Sequence, residues 1–357
     1  MNILFIVAQS SEGHSQTLEH RFIPVADELR DRGHDCRIFE GRRRTILNRE
    51  FTHIGFDVFL HLFSDLSEYD VVILNASASP LVLCCLHLCN LKGVPFIYDI
   101  DDALHEQQQI VGTPFSNPMT MCLRKILSNA TYVTVGSEYL ANFISEYTDH
   151  FSVLRTPVNT NIYNPTRYCY GYDHDGIVIG WMGSGPVHHE NLRILREPLE
   201  ELSTEYNIQF RIISSLGEAE IHDTFSNISG LTVDFGFDDW VSQKKVANEM
   251  QSFDIAALPL DDSVEFMKNK SIIKVLEHMS MNLPVVASDS PPYNGVIKDG
   301  KNGLLASSAE EWKNKLEILI LDEQMRYDMA EESRRTKEAY TIKAYTSRLE
   351  SILQGVQ

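Results

Sequence analysis

No apolar run in this sequence approaches the roughly 20 residues that a helix needs to cross a bilayer. The longest, Val71–Leu74 with Leu81–Leu88 beyond it, is broken by Asn75, Ser77, Ser79, Pro80 and His87. The start, Met1-Asn-Ile-Leu-Phe-Ile-Val-Ala8, enters a strand pattern directly; without a basic leader and cleavage site, no signal peptide is expected. Cysteine is sparse: Cys36, Cys84, Cys85, Cys89, Cys122 and Cys169, six in 357 residues, show no regular disulfide framework. Cys84, Cys85 and Cys89 lie in an apolar helical stretch and read as buried thiols. Cys85 and Cys89 are spaced as two metal ligands could be, but no His/Cys pair with finger-like spacing completes a site. A reducing, cytoplasmic setting is expected. Basic residues are also few, 31 against 50 acidic for a net charge of −19, which argues against a general nucleic-acid binder. One local exception, Arg42-Arg43-Arg44 with Arg49 nearby, reads as a solvated loop, with contact to an anionic acceptor or membrane surface as the alternative.

What is present is ordinary for a globular protein: 43% apolar and 10% aromatic residues. The length suggests about two domains. Strand patterns at Ile3–Ala8, Cys36–Phe39, Val71–Leu74, Pro95–Tyr98 and Tyr132–Val135 alternate with helical segments, the first presenting Leu18, Phe22, Val25 and Leu29 on one face. The segment Arg155-Thr-Pro-Val-Asn-Thr-Asn-Ile-Tyr-Asn-Pro165 breaks the periodicity and reads as a linker. The pattern restarts at Ile177–Gly180, with further strands at Phe210–Ile213, Leu231–Asp234, Ile255–Leu258 and Val285–Ala287 and a helical tail from near Glu310. Such alternation implies parallel sheets covered on both faces, with ligands beyond the carboxyl ends of the strands. The expected division is residues 1–160, 161–335 and a C-terminal helix, 336–357, packing back on the first domain.

Four segments carry chemistry. The first is Ser10–Ser15, where Gly13 allows close backbone approach and His14 stands beside it. The second, Tyr98-Asp-Ile-Asp-Asp-Ala-Leu-His-Glu106, crowds Asp99, Asp101 and Asp102 at a strand end, which requires a wet, metal-bound or catalytic setting. Asp-x-Asp could ligate Mg²⁺ or cap the next helix. The third, Gly180-Trp-Met-Gly-Ser-Gly185, reads as a strand-to-helix glycine loop able to meet a phosphate; it matches neither G-x-G-x-x-G nor a P-loop. The fourth is Asn269-Lys-Ser-Ile-Ile-Lys-Val-Leu-Glu-His-Met-Ser-Met-Asn-Leu-Pro-Val-Val-Ala-Ser288, a helix running into a buried strand. Ile272, Ile273, Leu276 and Met279 form its apolar face, while Lys270, Lys274 and Glu277 share another. Two cations at the amino end suit a phosphate, and a carboxylate two turns on can accept hydrogen bonds from a sugar diol. The alternative is a surface helix whose Lys–Glu pair is a solvated ion pair.

These features resemble, in order and over nearly the whole length, the retaining glycosyltransferases of the GT-B fold, family-4 type (glycosyl transferases group 1). The resemblance is carried by the Gly13–His14 loop, Val133-Thr-Val-Gly-Ser-Glu-Tyr-Leu140, the Arg155–Pro165 linker and the Gly180–Ser184 loop. It continues in Phe253-Asp-Ile-Ala-Ala-Leu-Pro-Leu260, Lys270–Ser288 and Val296-Ile-Lys-Asp-Gly-Lys-Asn-Gly-Leu-Leu305. It implies an α/β architecture of two Rossmann-like, doubly wound domains facing across a cleft, the C-terminal one holding a nucleotide-diphosphate sugar. It implies transfer of a sugar from a UDP-, GDP- or ADP-linked donor to an acceptor with retention of configuration, with no cofactor or metal required and Mg²⁺ not expected.

By position, Glu277 matches the family's ribose-binding carboxylate, and Gly183 and Ser184 match the loop near the diphosphate. Gly13, Asn269, Lys270, Ser271 and Lys274 are further donor-binding candidates. Lys270, Asp101 and His14 are the catalytic candidates, Asp101 standing where many relatives have a His near the donor sugar. The sequence departs from the family where Asn269 replaces the first Glu of the two-glutamate motif and Lys270-Ser271-Ile272 replaces Gly-Phe-Gly. The family's Arg and Lys after the second glycine loop are missing as well, with Ser184, His188 and His189 nearby instead. The acceptor, as glycan, lipid, small molecule or polymer, is not readable, and neither is the oligomeric state. The competing readings are a GT-B epimerase or phosphorylase, a non-catalytic sugar-nucleotide-binding subunit, and a glycosyltransferase acting on nucleic acid.

Overall fold

The computed structural model describes residues 1–8, 18–41, 45–46, 49–50, 56–75, 78–101, 118–165, 176–183, 185–214, 218–235, 242–263, 267–268 and 270–356. By internal contacts they form two compact units.

The first unit comprises Met1–Pro157, Lys270, Ser271 and Ile342–Gln357. Its strands are β1 (Asn2–Ala8), β2 (Asp35–Gly41), a small antiparallel pair β3 (Thr45–Ile46) and β4 (Arg49–Glu50), then β5 (Val71–Asn75), β6 (Phe96–Ile100), β7 (Tyr132–Val135) and β8 (Phe151–Val153). Its helices are α1 (Ile23–Asp31), α2 (Phe56–Asp65), α3 (Pro80–Lys92), α4 (Pro118–Asn129) and α5 (Glu138–Ile144). The six-stranded sheet is parallel, in the order β2-β1-β5-β6-β7-β8. Strand periodicity separates its two faces. Leu4, Ile6, Val72 and Leu74 enter one core; Ile3, Phe5, Val7, Val71 and Ile73 enter the other, with Leu18, Phe22, Val25 and Leu29 as the sequence pattern requires. Helix ends follow local rules. Ser79 accepts the Val82 N–H at the start of α3, Pro80 occupies the first turn, and Gly93 ends the helix at φ +70°.

The second unit, Val158–Lys268 with Ile272–Thr341, carries β9 (Ile177–Gly183), β10 (Ile208–Ser214), β11 (Thr232–Phe235), β12 (Ile255–Leu258), β13 (Val285–Ser288) and β14 (Leu304–Ala306). Its helices are α6 (Gly185–Arg193), α7 (Arg196–Glu205), α8 (Glu218–Phe225), α9 (Gln243–Met250), α10 (Ile273–Ser280), α11 (Pro291–Asn294), α12 (Ala309–Leu321) and α13 (Glu323–Lys337). The parallel order β11-β10-β9-β12-β13-β14 is that of a dinucleotide-binding sheet, reversing direction of growth between β9 and β12. β12 and β13 are buried at every position, which explains their continuous apolar sequence. A last helix, α14 (Ile342–Gly355), belongs to the first unit, where Tyr345, Leu349 and Leu353 are buried. Among the described residues no helix is long and apolar enough to cross a membrane.

The glycine loop expected at Gly180–Gly185 is largely strand. β9 continues through Trp181 and Met182 to Gly183, and α6 begins at Gly185. Gly180 is a packing glycine: a Cβ there would lie 2.1 Å from the Phe253 ring. The donor helix is also shorter than its sequence pattern. It starts at Ile273, so Lys270 precedes it and only Lys274 stands in its first turn. It ends through Asn282, which adopts φ +57°, the left-handed conformation that Asn tolerates best among residues with a Cβ.

Candidate functional site

The reversal between β9 and β12 places two strand ends side by side, and a doubly wound sheet binds ligands at such a point. β9 ends on Gly183. A Cβ there would lie 2.3 Å from Lys274 Nζ and 2.8 Å from the Trp181 ring, so glycine is what lets the lysine side chain reach the backbone. Lys274 Nζ stands 4.8 Å from the centroid of the buried Trp181 ring, a cation–π contact that orients the ammonium group.

His188, one turn into α6, meets the same ring edge-on at 5.7 Å. Asn191 fixes it. The Asn191 Oδ1 accepts the Asp261 N–H at 2.7 Å, so its Nδ2 is the atom that faces His188 Nδ1 at 2.8 Å. With Nδ1 accepting, a neutral His188 carries its proton on Nε2. Asn191 thereby ties the last turn of α6 to the segment after β12.

The α10 helix brings Glu277 under this cluster. Glu277 is 3% exposed, which excludes the solvated ion-pair alternative. Burial lifts its carboxyl group to about 7, opposed by a hydrogen bond from Tyr163 and by the charge of Lys274. The neighbouring His278 is fully buried and held neutral. Burial lowers its imidazole to about 4, and Nδ1 donates to the Lys274 carbonyl at 2.6 Å. His278 stacks on Phe253, the ring seated against Gly180. The first turn of α10 has no side-chain cap; its N-cap is Ile272. At the other end, the buried Lys337 donates to the Ser280 carbonyl at 3.2 Å.

In the first unit the acidic strand end separates into two roles. Asp99 turns inward: its Oδ1 lies 2.7 Å from Arg21 and 2.5 Å from the Thr134 hydroxyl, and its Oδ2 accepts from Asn75 at 3.0 Å. Arg21, also fully buried, donates through Nε to Tyr345 of α14 at 2.8 Å and reaches the Leu154 carbonyl at 3.2 Å. Burial alone would lower this guanidinium, but Asp99, Tyr345 and Asp101 outweigh it and hold it charged. Asp99 is therefore part of the fold.

Asp101, half-buried beyond the end of β6, shares the Asn75 amide at 3.2 Å. Its carbonyl is so close to Gly136 that a Cβ there would lie 1.8 Å from it. Gly13, His14, Asp102, Ser184 and Asn269 lie outside the described residues, as does the Arg42–Arg44 run. Asp234 pairs with Arg211 at 3.3 Å. Of the three thiols expected to be buried, Cys84 is exposed; Cys85 and Cys89 are buried, both pushed up to about 12 by burial. Among the described residues no three His, Cys, Asp or Glu side chains are grouped to hold a metal ion.

The site thus joins Gly183, Lys274 and Glu277 in one unit, and to them it adds Trp181, Tyr163, His188 and Asn191. Of these, only His188 had been noted in the sequence. The sequence model of the family described as glycosyl transferases group 1 matches residues 176–322, the segment that holds this cluster except Tyr163. No curated protein sequence matches the chain.

Several solved structures share the fold. HepE from Anabaena, solved in complex with UDP, is 15% identical with a TM-score of 0.72 over 99% of this chain and 100% of that one. A glycosyltransferase from Rickettsia africae is 14% identical, TM-score 0.73, over 99% and 98%. Sucrose-phosphate synthase from Thermosynechococcus elongatus is 11% identical, TM-score 0.70, over 100% and 99%. The expected resemblance to group 1 glycosyltransferases and the two-domain Rossmann-like fold are both borne out.

Proposed function

We propose that this protein transfers a hexosyl or pentosyl group from a nucleotide-diphosphate sugar to a glycan, lipid, small-molecule or polymeric acceptor, with retention of configuration. One observation carries the reading: the Lys274 ammonium lies against Gly183 at the strand end of the sheet's switch point, one helical turn before the buried Glu277. A cation and a carboxylate at that spacing serve a diphosphate and the ribose attached to it. That HepE, which shares the fold, was solved in complex with UDP supports a nucleotide as ligand.

In this reading the ribose hydroxyls donate to Glu277. Gly183 and Ser184 receive the diphosphate. As the bond from the sugar to the diphosphate breaks, negative charge grows on the leaving oxygen, and Lys274 stabilises it from a preset position. Lys270, immediately ahead of α10 with Asn269 and Ser271, supplies a second cation. The leaving oxygen takes the acceptor's proton on the face it departs from, which retains configuration. Asp101, Gly13 and His14 are the remaining candidates for contact with the donor sugar.

A thermal-shift and calorimetric screen of UDP-, GDP- and ADP-sugars tests the reading. Binding of none of them would overturn it. Glu277→Ala should weaken nucleotide binding, and Lys270→Ala should chiefly slow turnover. Unchanged kinetics in both would remove the site.

A further inference from the structure

From Val158 on, the segment read from sequence as a linker is built into the second unit. Val158 forms a parallel bridge with Thr341, and its N–H donates to the Tyr340 carbonyl at 2.9 Å. Asn159 then closes a single turn. Its carbonyl accepts from Ile162 at 3.0 Å and Tyr163 at 2.9 Å, and its side chain accepts the Asn161 N–H at 3.1 Å. This turn delivers Tyr163 into the core, 2% exposed, with its phenol on the Glu277 carboxyl group.

Other described groups near Glu277 are engaged as follows. Lys274 adds a positive charge from the same helix. His278, the next residue, is turned to Phe253 and the Lys274 carbonyl. Trp181 of β9 and His188 of α6 pack on one another. Lys337 of α13 is engaged at Ser280, at the far end of α10.

We infer that Tyr163 is the positioning residue for Glu277: its hydroxyl donates to the carboxyl group and fixes the orientation in which that group meets the ribose of a nucleoside diphosphate. The inference rests on the assignment of Glu277 as the ribose contact. A carboxylate is an acceptor only, and a buried one without a fixed donor would rotate or take up a proton. The phenol opposes both, since it can donate to the ionised group and keeps one oxygen in place. Nucleotide binding should therefore require the ionised carboxyl group, tighten as pH rises through neutrality and release a proton.

The test is calorimetric titration of UDP, GDP and ADP between about pH 5.5 and 9, on wild type, Tyr163→Phe, Glu277→Gln and the double variant. Loss of one hydrogen bond to a charged group should raise the midpoint of the pH profile by about one unit in Tyr163→Phe, lowering affinity about fivefold at pH 7 and little at pH 9. In Glu277→Gln the profile should lose this midpoint, and adding Tyr163→Phe should not restore one. Should Tyr163→Phe fail to fold, 3-fluorotyrosine placed at position 163 keeps the shape and donates more strongly, and should move the midpoint down. Equal weakening by Tyr163→Phe at every pH, or an unmoved midpoint with fluorotyrosine, overturns the inference. Undiminished binding of all three nucleotides by Glu277→Gln overturns instead the assignment of Glu277.

Discussion

Adjacent residues on α10 should make opposite contributions to the pH dependence of stability. Glu277 is lifted by burial from 4.5 to about 7, so the folded state binds its proton more tightly than the unfolded chain does. Its contribution is fully present below pH 4.5 and is lost as pH rises through about 7. His278 is lowered from 6.5 to about 4, so the folded state resists protonation. Its contribution is fully present above pH 6.5 and is lost as pH falls through about 4. Each shift corresponds to about 3 kcal/mol.

Between roughly pH 4.5 and 6.5 the two slopes oppose each other, and the wild-type protein should show little net dependence from this helix. Glu277→Gln should expose the histidine, with stability falling by about 3 kcal/mol from pH 6.5 to 4. His278→Gln should expose the glutamate, with a fall of similar size from pH 4.5 to 7. Denaturant unfolding followed by tryptophan fluorescence measures this, because Trp181, Trp240 and Trp312 all lie in the sequence of the second unit. Using one unit's signal avoids treating a two-unit chain as a single transition. If both variants kept the wild-type slope across that window, the buried carboxyl–imidazole account of α10 would be refuted.

Three further outcomes follow from single contacts. Gly183→Ala puts a methyl group where Lys274 Nζ stands; the flexible lysine should yield, so UDP-sugar affinity measured by calorimetry should fall about tenfold with stability lowered by only about 1–2 kcal/mol. Gly180→Ala meets the packed Phe253 ring instead and should lower stability by about 2–3 kcal/mol, read from the denaturant midpoint of tryptophan fluorescence. Arg21→Ala strands the buried Asp99 and should destabilise the first unit by about 3–5 kcal/mol, read as an early loss of circular dichroism with the tryptophan transition unmoved.

The alternation of strands and helices was legible because parallel strands buried on both faces read as short apolar runs between amphipathic helices. Tyr132–Val135 and Ile255–Leu258 even had correct ends. What failed did so for non-local reasons. Gly180 looked like a loop residue, since its partner Phe253 is distant in sequence. Lys270 looked like a first-turn cation, since helical spacing alone says nothing about where the first hydrogen bond forms. Asp99 and Asp101 looked equivalent until Arg21 claimed one of them. That signal was available: Arg21 sits among Leu18, Phe22 and Val25, a cation on a buried face that requires a buried anion. Tyr163 was hidden because Pro and Asn around it read as a linker, whereas Asn159 organises a turn. Gly183, Lys274 and Glu277 were legible from spacing and resemblance together, and burial then distinguished a site from a surface pair.

The return of α14 to the first unit has a consequence for how the protein is made. Met1, Ile352 and Val356 pack on one cluster, and Tyr345, Leu349 and Leu353 are buried in it. That cluster cannot close until the last helix has left the ribosome, by which time all of the second unit has been synthesised. Folding during synthesis usually proceeds from the amino end. Here the unit begun first is the one finished last, and until then the Arg21–Asp99 pair waits for the hydroxyl of Tyr345.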